Sequence, residues 1–217
     1  KHEQFGKLVE ILATEEQAAE DITVKVELLR RMAELHDQKL NDPGGAVGYL
    51  ERAVELVPDD RSALLPLCDL YIAAGRQSDA VPVLERIIES YGSRRVKEVA
   101  VYQHRLGRAL EGMGDLEKAL KHYDAAFKID LANVQILLDL GRICLQKGDL
   151  DRAQKTYRAL LLQKLGPDSG IRKADIYFYL GDVAARQGEK SKAKSMLERA
   201  ISEAGEHAEA KQLLDSL

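Results

Sequence analysis

The chain has 217 residues, 45% of them apolar and 31% charged, with a formal net charge of −4 and a pI near 5.8. That composition can build a core and excludes the disordered, collagen-like and membrane classes, and no run approaches the roughly 18 apolar residues that cross a bilayer. Trp is absent and aromatics make up 5%, while Ala, Leu, Glu, Lys and Arg, all good helix formers, dominate, so an all-helical chain is expected.

In chain order, Glu3 to Ala18 read as an amphipathic helix with Phe5, Leu8, Val9 and Leu12 on one face. Position 1 is not Met, so the sequence is expected to be a piece of a longer protein, with any upstream targeting signal outside it. Further along, the segment LGRALEGMGDLEKALKHYDAAFKID from Leu106 recurs as LGRICLQKGDLDRAQKTYRALL from Leu140 and as LGDVAARQGEKSKAKSMLERAI from Leu180. A Leu-Gly pair, a turn glycine and then a small residue followed four places later by Tyr or Leu return each time. Spacing by four keeps that last pair on one helix face. The pattern resembles the tetratricopeptide repeat, a pair of antiparallel helices in about 34 residues, and in particular the long arrays of bacterial scaffold proteins.

The resemblance covers nearly the whole chain and implies an all-α fold, a right-handed α-solenoid of antiparallel helix pairs over residues 1–217 as one array. Residues 1–25 are expected to be the second helix of a truncated repeat plus connector. Full repeats follow at 26–60, 61–99, 100–133, 134–173 and 174–207, and 208–217 are a capping helix or the start of a further repeat. In family terms the small residue of the first helix is Ala33, Cys68, Gly107, Gly141 and Gly181, where only a small side chain lets helices approach closely. Turn glycines Gly75, Gly114, Gly148 and Gly188 suit a helix end, and Ser78, Asp115 and Asp149 are expected to cap the next helix. Second helices carry Ala46, Ala80, Ala119, Ala153 and Ala193, each followed four residues later by Leu50, Leu84, Tyr123, Tyr157 or Leu197. The second and fourth repeats have longer connectors, Tyr91 to Val99 and Lys164 to Lys173.

No catalytic constellation is legible. The five histidines show no metal-ligand spacing and the two cysteines form no CxxC pair, so neither a metal nor another cofactor is expected. Cys68 and Cys144 sit in apolar helical contexts and read as buried thiols of a reducing compartment, the cytoplasm. Gly112-Met113-Gly114 ends a helix instead of following a strand, and no phosphate-binding GxxxxGK[ST] occurs. An enzyme with a small-molecule substrate is therefore not the expectation. The acid balance argues against nucleic acid, although residues 61–173 carry 19 Lys and Arg against 14 Asp and Glu.

What the resemblance implies is protein binding on a concave surface lined by the first helices. The ninth residues of the repeats form a ladder of Glu34, Asp69, Arg108, Arg142 and Asp182, with Arg105 one turn from Arg108. These arginines either pair internally with Asp69, Asp139 and Asp182 or receive a protein or peptide partner, an acidic one being a candidate. Leu138, Phe178 and Tyr179 fall on the same face, as packing residues or as apolar anchors. Two alternatives stand beside a binding scaffold: a spacer with no ligand of its own, and an RNA-reading helical repeat.

Overall fold

The computed structural model describes residues 2–166 and 169–217; Lys1 and the Pro167-Asp168 step of the Lys164–Lys173 connector lie outside the described residues. Among the described residues there are twelve α-helices and no strand: α1 (His2–Ala18), α2 (Ile22–Gln38), α3 (Pro43–Leu56), α4 (Arg61–Ala73), α5 (Gln77–Ser90), α6 (Lys97–Gly112), α7 (Leu116–Ile129), α8 (Val134–Gln146), α9 (Leu150–Leu161), α10 (Lys173–Arg186), α11 (Lys190–Ala204) and α12 (Ala208–Asp215). Two compact units form, one from residues up to Arg94 with Arg108–Asp115, the other from Arg95–Gly107 with Leu116–Leu217. Helix α6 therefore contributes to both.

Local chemistry sets the helix ends. Gly75, Gly114, Gly148 and Gly188 all take positive φ, between 70° and 84°, which lets the chain reverse where a Cβ would be strained. The turn between α2 and α3 has no glycine in that role, and Asn41 takes φ 53° instead, the non-glycine residue type that tolerates this region best. Asp21, Asp42, Asp60 and Asp149 accept the first amides of α2, α3, α4 and α9. Ser78 does not cap α5: that helix already starts at Gln77, after an Arg76 that makes no side-chain cap. There the Arg76 guanidinium meets Asp79 in the first turn at 2.5 Å, a side-chain pair that leaves the first amides of the helix without a side-chain cap.

In the first unit α2 packs on α3 and α4 on α5, and the core is built on Leu29, Met32, Leu64, Leu84 and Ile87, all fully buried. Helix α1 closes onto α2 through Val9 and Leu12, and Arg52 of α3 reaches back to Glu16 at 2.9 Å. In the second unit α8 packs on α9 and α10 on α11, around Leu106, Tyr123, Leu137, Leu140, Ile143 and Tyr157. The expected small-to-large contacts are present. A Cβ placed on Gly107 would stand 2.7 Å from the Tyr123 ring, on Gly141 2.6 Å from Tyr157, and on Gly181 2.7 Å from Leu197. Helix α12 lies on α10 and α11, where Ala210 joins Leu197 and Ala200 in a cluster that Tyr177 and Phe178 flank.

Cys68 and Cys144 are buried free thiols. Burial, reinforced by the Asp149 carboxylate, pushes the Cys144 thiol up to about 12. Since only the thiolate is nucleophilic, Cys144 should be inert to a thiol-disulfide reagent at pH 8 in the folded protein and should react fully in denaturant. Rapid modification of Cys144 without denaturant, read by mass spectrometry, would contradict this.

Candidate functional site

In the first unit, α2 sends Val26, Leu29, Met32 and Ala33 inward, and Arg30, Arg31, Glu34 and Asp37 face away from the core. Helix α4 does the same with Asp69 and Leu70. Between the two helices opens a cleft of about 790 Å³, with Ala33, Leu50, Leu70 and Ala73 as its apolar part and Arg30, Arg31, Glu34, Asp37 and Asp69 around it. Arg30 is engaged by Glu27 one turn back, at 2.7 Å. Helix α4 is fixed against α3 by Tyr71, whose hydroxyl donates to Glu51 at 2.5 Å while the Arg76 guanidinium stacks 4.5 Å from its ring centroid. Burial and the Glu51 carboxylate together hold the Tyr71 hydroxyl protonated well beyond its ordinary range.

The second unit carries most of the residues singled out from the sequence. Arg142 on α8 is half-exposed, at 51%, and its Nη2 lies 3.0 Å from Asp139 Oδ1 one turn back. Asp139 is itself buried, and its Oδ2 lies 2.8 Å from His104 Nε2 on α6. A carboxylate can only accept, so His104 donates through Nε2, and the Asp139 carboxylate is shared between a histidine and an arginine. Of the two readings of Arg142, the structure contains an internal pair, with the side chain half-exposed. Asp182 pairs with Arg186 at 2.9 Å instead of joining the ladder. Arg105 is half-buried on α6, and Arg108, three residues on, is exposed and belongs to the first unit.

Leu138, Phe178 and Tyr179 are all half-buried. The two adjacent aromatics tilt against each other, ring centroids 5.6 Å apart, and each meets a different further partner. Phe178 packs toward the α11–α12 cluster, with its ring 5.1 Å from that of His207. Tyr179 stacks on Tyr157, centroids 5.0 Å apart and planes 11° from parallel. Tyr157 comes from α9 through the space left by Gly141 and is fully buried, and among the described residues its hydroxyl has no hydrogen-bond partner. Burial pushes the hydroxyls of both tyrosines upward, and the nearby Arg142 guanidinium opposes the shift. Arg142, Tyr157 and Tyr179 therefore form one neighbourhood on α8, α9 and α10.

Two features escaped the sequence reasoning. The α2–α4 cleft is made of residues that read as an ordinary charged helix face; their recurrence at spacings of three and four on a first helix was the available signal. The Asp139 bridge between α6 and α8 joins residues 35 positions apart, and one repeat length between a His and an Asp was its only trace. Among the described residues no group of His, Cys, Asp and Glu is placed to hold a metal ion, and no helix is long and apolar enough to cross a membrane.

Comparison with known proteins adds the family. Tetratricopeptide repeat models match residues 38–99, 104–170 and 175–207. Anaphase-promoting complex subunit 7 of Arabidopsis thaliana is 28% identical over 149 residues, 68% of this chain and 25% of that protein, so the chain spans a quarter of the length of this curated relative. Among solved structures, YrrB, a tetratricopeptide repeat protein with an unusual peptide-binding site, matches with a TM-score of 0.72 at 21% identity over 100% of both chains. MamA matches at 0.69 and 17% identity, over 82% of this chain and 91% of its own. BtubC from P. vanneervenii matches at 0.63 and 19%, over 94% and 89%. Likeness at these identities shows the fold, an all-α solenoid of helix pairs.

Proposed function

This chain belongs to the tetratricopeptide repeat family, and we propose that it is a protein-interaction scaffold that holds a partner protein or peptide on the faces of its first helices. The observation that carries the reading is the openness of those faces. The second helices bury their small-and-large pairs completely, whereas α2 with α4 leaves a cleft and α8 leaves a half-exposed guanidinium. No catalytic step is part of the proposal. The peptide-binding site of YrrB is in keeping with it, and two buried cysteines outside any disulfide fit a reducing compartment such as the cytoplasm.

On the second unit the proposed partner is an acidic segment. Arg105 and Arg142 would take its carboxylates; Leu138, Phe178 and Tyr179 would take an apolar side chain. Arginine suits this role because its planar fork holds a carboxylate through two parallel bonds. Because Arg142 is half-exposed and already shared with Asp139, its contribution is that of a wet rim pair, under about 1 kcal/mol. Replacing Arg105 and Arg142 by Ala should therefore weaken a labelled Glu-rich peptide containing Leu and Phe by about fivefold to tenfold in fluorescence anisotropy. Added salt should weaken the wild type more than the variant. Unchanged affinity and salt dependence in a folded double variant would remove the arginines from the site, and a peptide that binds neither protein would favour a spacer.

A further inference from the structure

Helix α12 opens on the run Gly205-Glu206-His207-Ala208, which holds none of the short Ser, Thr, Asp or Asn side chains that ordinarily cap a helix. Histidine stands in. His207 occupies the cap position of α12, and its Nδ1 accepts from the Ala210 amide at 3.3 Å. An Nδ1 that accepts carries no hydrogen, so the neutral ring bears its proton on Nε2. The side chain is 6% exposed, and its ring lies against Phe178 of α10, centroids 5.1 Å apart. Among the described residues Nε2 has no hydrogen-bond partner. Asp175 Oδ1 stands 3.5 Å from it, and both oxygens of that carboxylate already accept from Arg172, Oδ1 from Nη2 at 2.7 Å and Oδ2 from the amide and Nε at 2.9 and 3.1 Å.

The other ring nitrogen lies between two groups. Glu209 Oε2 is 3.2 Å from the same Nδ1 that accepts from Ala210. Nδ1 has one in-plane position to offer: unprotonated it accepts from Ala210, protonated it donates to Glu209, and it cannot do both. The charged groups facing the ring are Asp175 on α10, Arg172 at the start of that helix, Glu206 between α11 and α12, and Glu209 on α12; with Tyr179 they line one cavity of about 250 Å³. The side-chain hydrogen bonds of Arg172 hold the Asp175 carboxyl below its ordinary range, so that group is a carboxylate wherever imidazole titrates. Three carboxylates thus surround a ring that Arg172 and the positive N-terminal end of α12 repel. We propose that His207 is a proton-operated cap: the neutral ring caps α12 through Nδ1, and the protonated ring gives up that cap and is held between the Glu209 and Asp175 carboxylates, so that acid loosens the first turn of α12. The cap exchange stands apart from the scaffold reading and touches it through Phe178, whose ring the His207 ring covers.

The test is an NMR titration of the 217-residue chain from about pH 8 to about pH 5.5, the range in which imidazole changes charge. At the alkaline end His207 Nδ1 should give the nitrogen signal of an unprotonated site and Nε2 that of a protonated one. As the ring titrates, the Ala210 amide should lose about fivefold in exchange protection, corrected for the intrinsic pH dependence of exchange, the effect of a lost cap. The Phe178 ring signals should move with it. His207→Asn supplies a cap that cannot titrate, and in that variant the Ala210 response should vanish. Glu209→Gln keeps the ring and removes one of its partners in acid, so the transition should move to lower pH. A proton on Nδ1 at about pH 8, a ring that stays neutral throughout, or Ala210 protection that ignores the ring would each overturn the proposal. So would a response of the same size in a folded His207→Asn variant; if that variant loses α12, the titration of the unaltered chain decides alone.

Discussion

Tyr157→Ala should cost the fold about 3–5 kcal/mol, as for other large buried aromatics, whereas Tyr157→Phe should leave stability unchanged or raise it by about 1 kcal/mol. The ring is fully buried, wedged beside Gly141 of α8 and stacked on Tyr179 of α10. Truncation would leave a cavity between three helices that are too well packed to collapse into it. The hydroxyl is a different matter. Among the described residues it has no hydrogen-bond partner, and a buried hydroxyl left without one costs about 1–3 kcal/mol. Urea unfolding monitored by circular dichroism separates the two contributions. A loss of more than about 1 kcal/mol in the Phe variant would show that the hydroxyl is satisfied in the folded protein and that the orphan assignment is wrong.

Gly141→Ala should destabilise by about 1–2 kcal/mol even though Ala is the better helix former by about 1 kcal/mol. The new methyl would stand 2.6 to 3.0 Å from three carbons of the Tyr157 ring. A stacked, fully buried ring cannot step aside, and such overpacking costs about 1–3 kcal/mol or more. Position 157 should rescue position 141. The first two repeats pair Ala33 and Cys68 with Leu50 and Leu84, so a slightly larger first-helix residue accompanies a smaller second-helix one. In a double-mutant cycle, Gly141→Ala with Tyr157→Leu should show a coupling of about 1 kcal/mol or more. Gly181→Ala makes the internal comparison, since its methyl would meet Cδ2 and Cγ of Leu197 at 2.7 and 2.8 Å, an aliphatic side chain with more rotamer freedom than a stacked ring, and it should be tolerated better. Additive losses in the cycle would mean that the two residues do not share one space.

Much of this fold was legible because it is written locally. A glycine that must take positive φ, an Asp before the first apolar residue of α9, and an Ala four places before a large residue each report on a single turn of helix, so Gly148, Asp149 and the Ala153–Tyr157 pair were found where the structure has them. The helix-pair pattern, repeated several times in phase, then carried the fold class. Even here Ser78 misled: α5 starts at Gln77, two residues earlier than a cap at Ser78 would start it, with Arg76 in the cap position and paired to Asp79.

The candidate sites are another matter, since they depend on which side chains meet across helices. The sequence put Arg142 on an outward face and left two readings of it open; tertiary packing decided that it shares Asp139 with His104, because α6 and α8 come close enough for a 2.8 Å bond between residues 35 apart. Phe178 and Tyr179, adjacent in the chain and with rings in contact, were given different further partners, the α11–α12 cluster for one and Tyr157 of α9 for the other. The α2–α4 cleft exists only as the space between two helix faces. Periodicity determines which residues point outward from a helix, and the distance and rotation between neighbouring helices determine what those residues face.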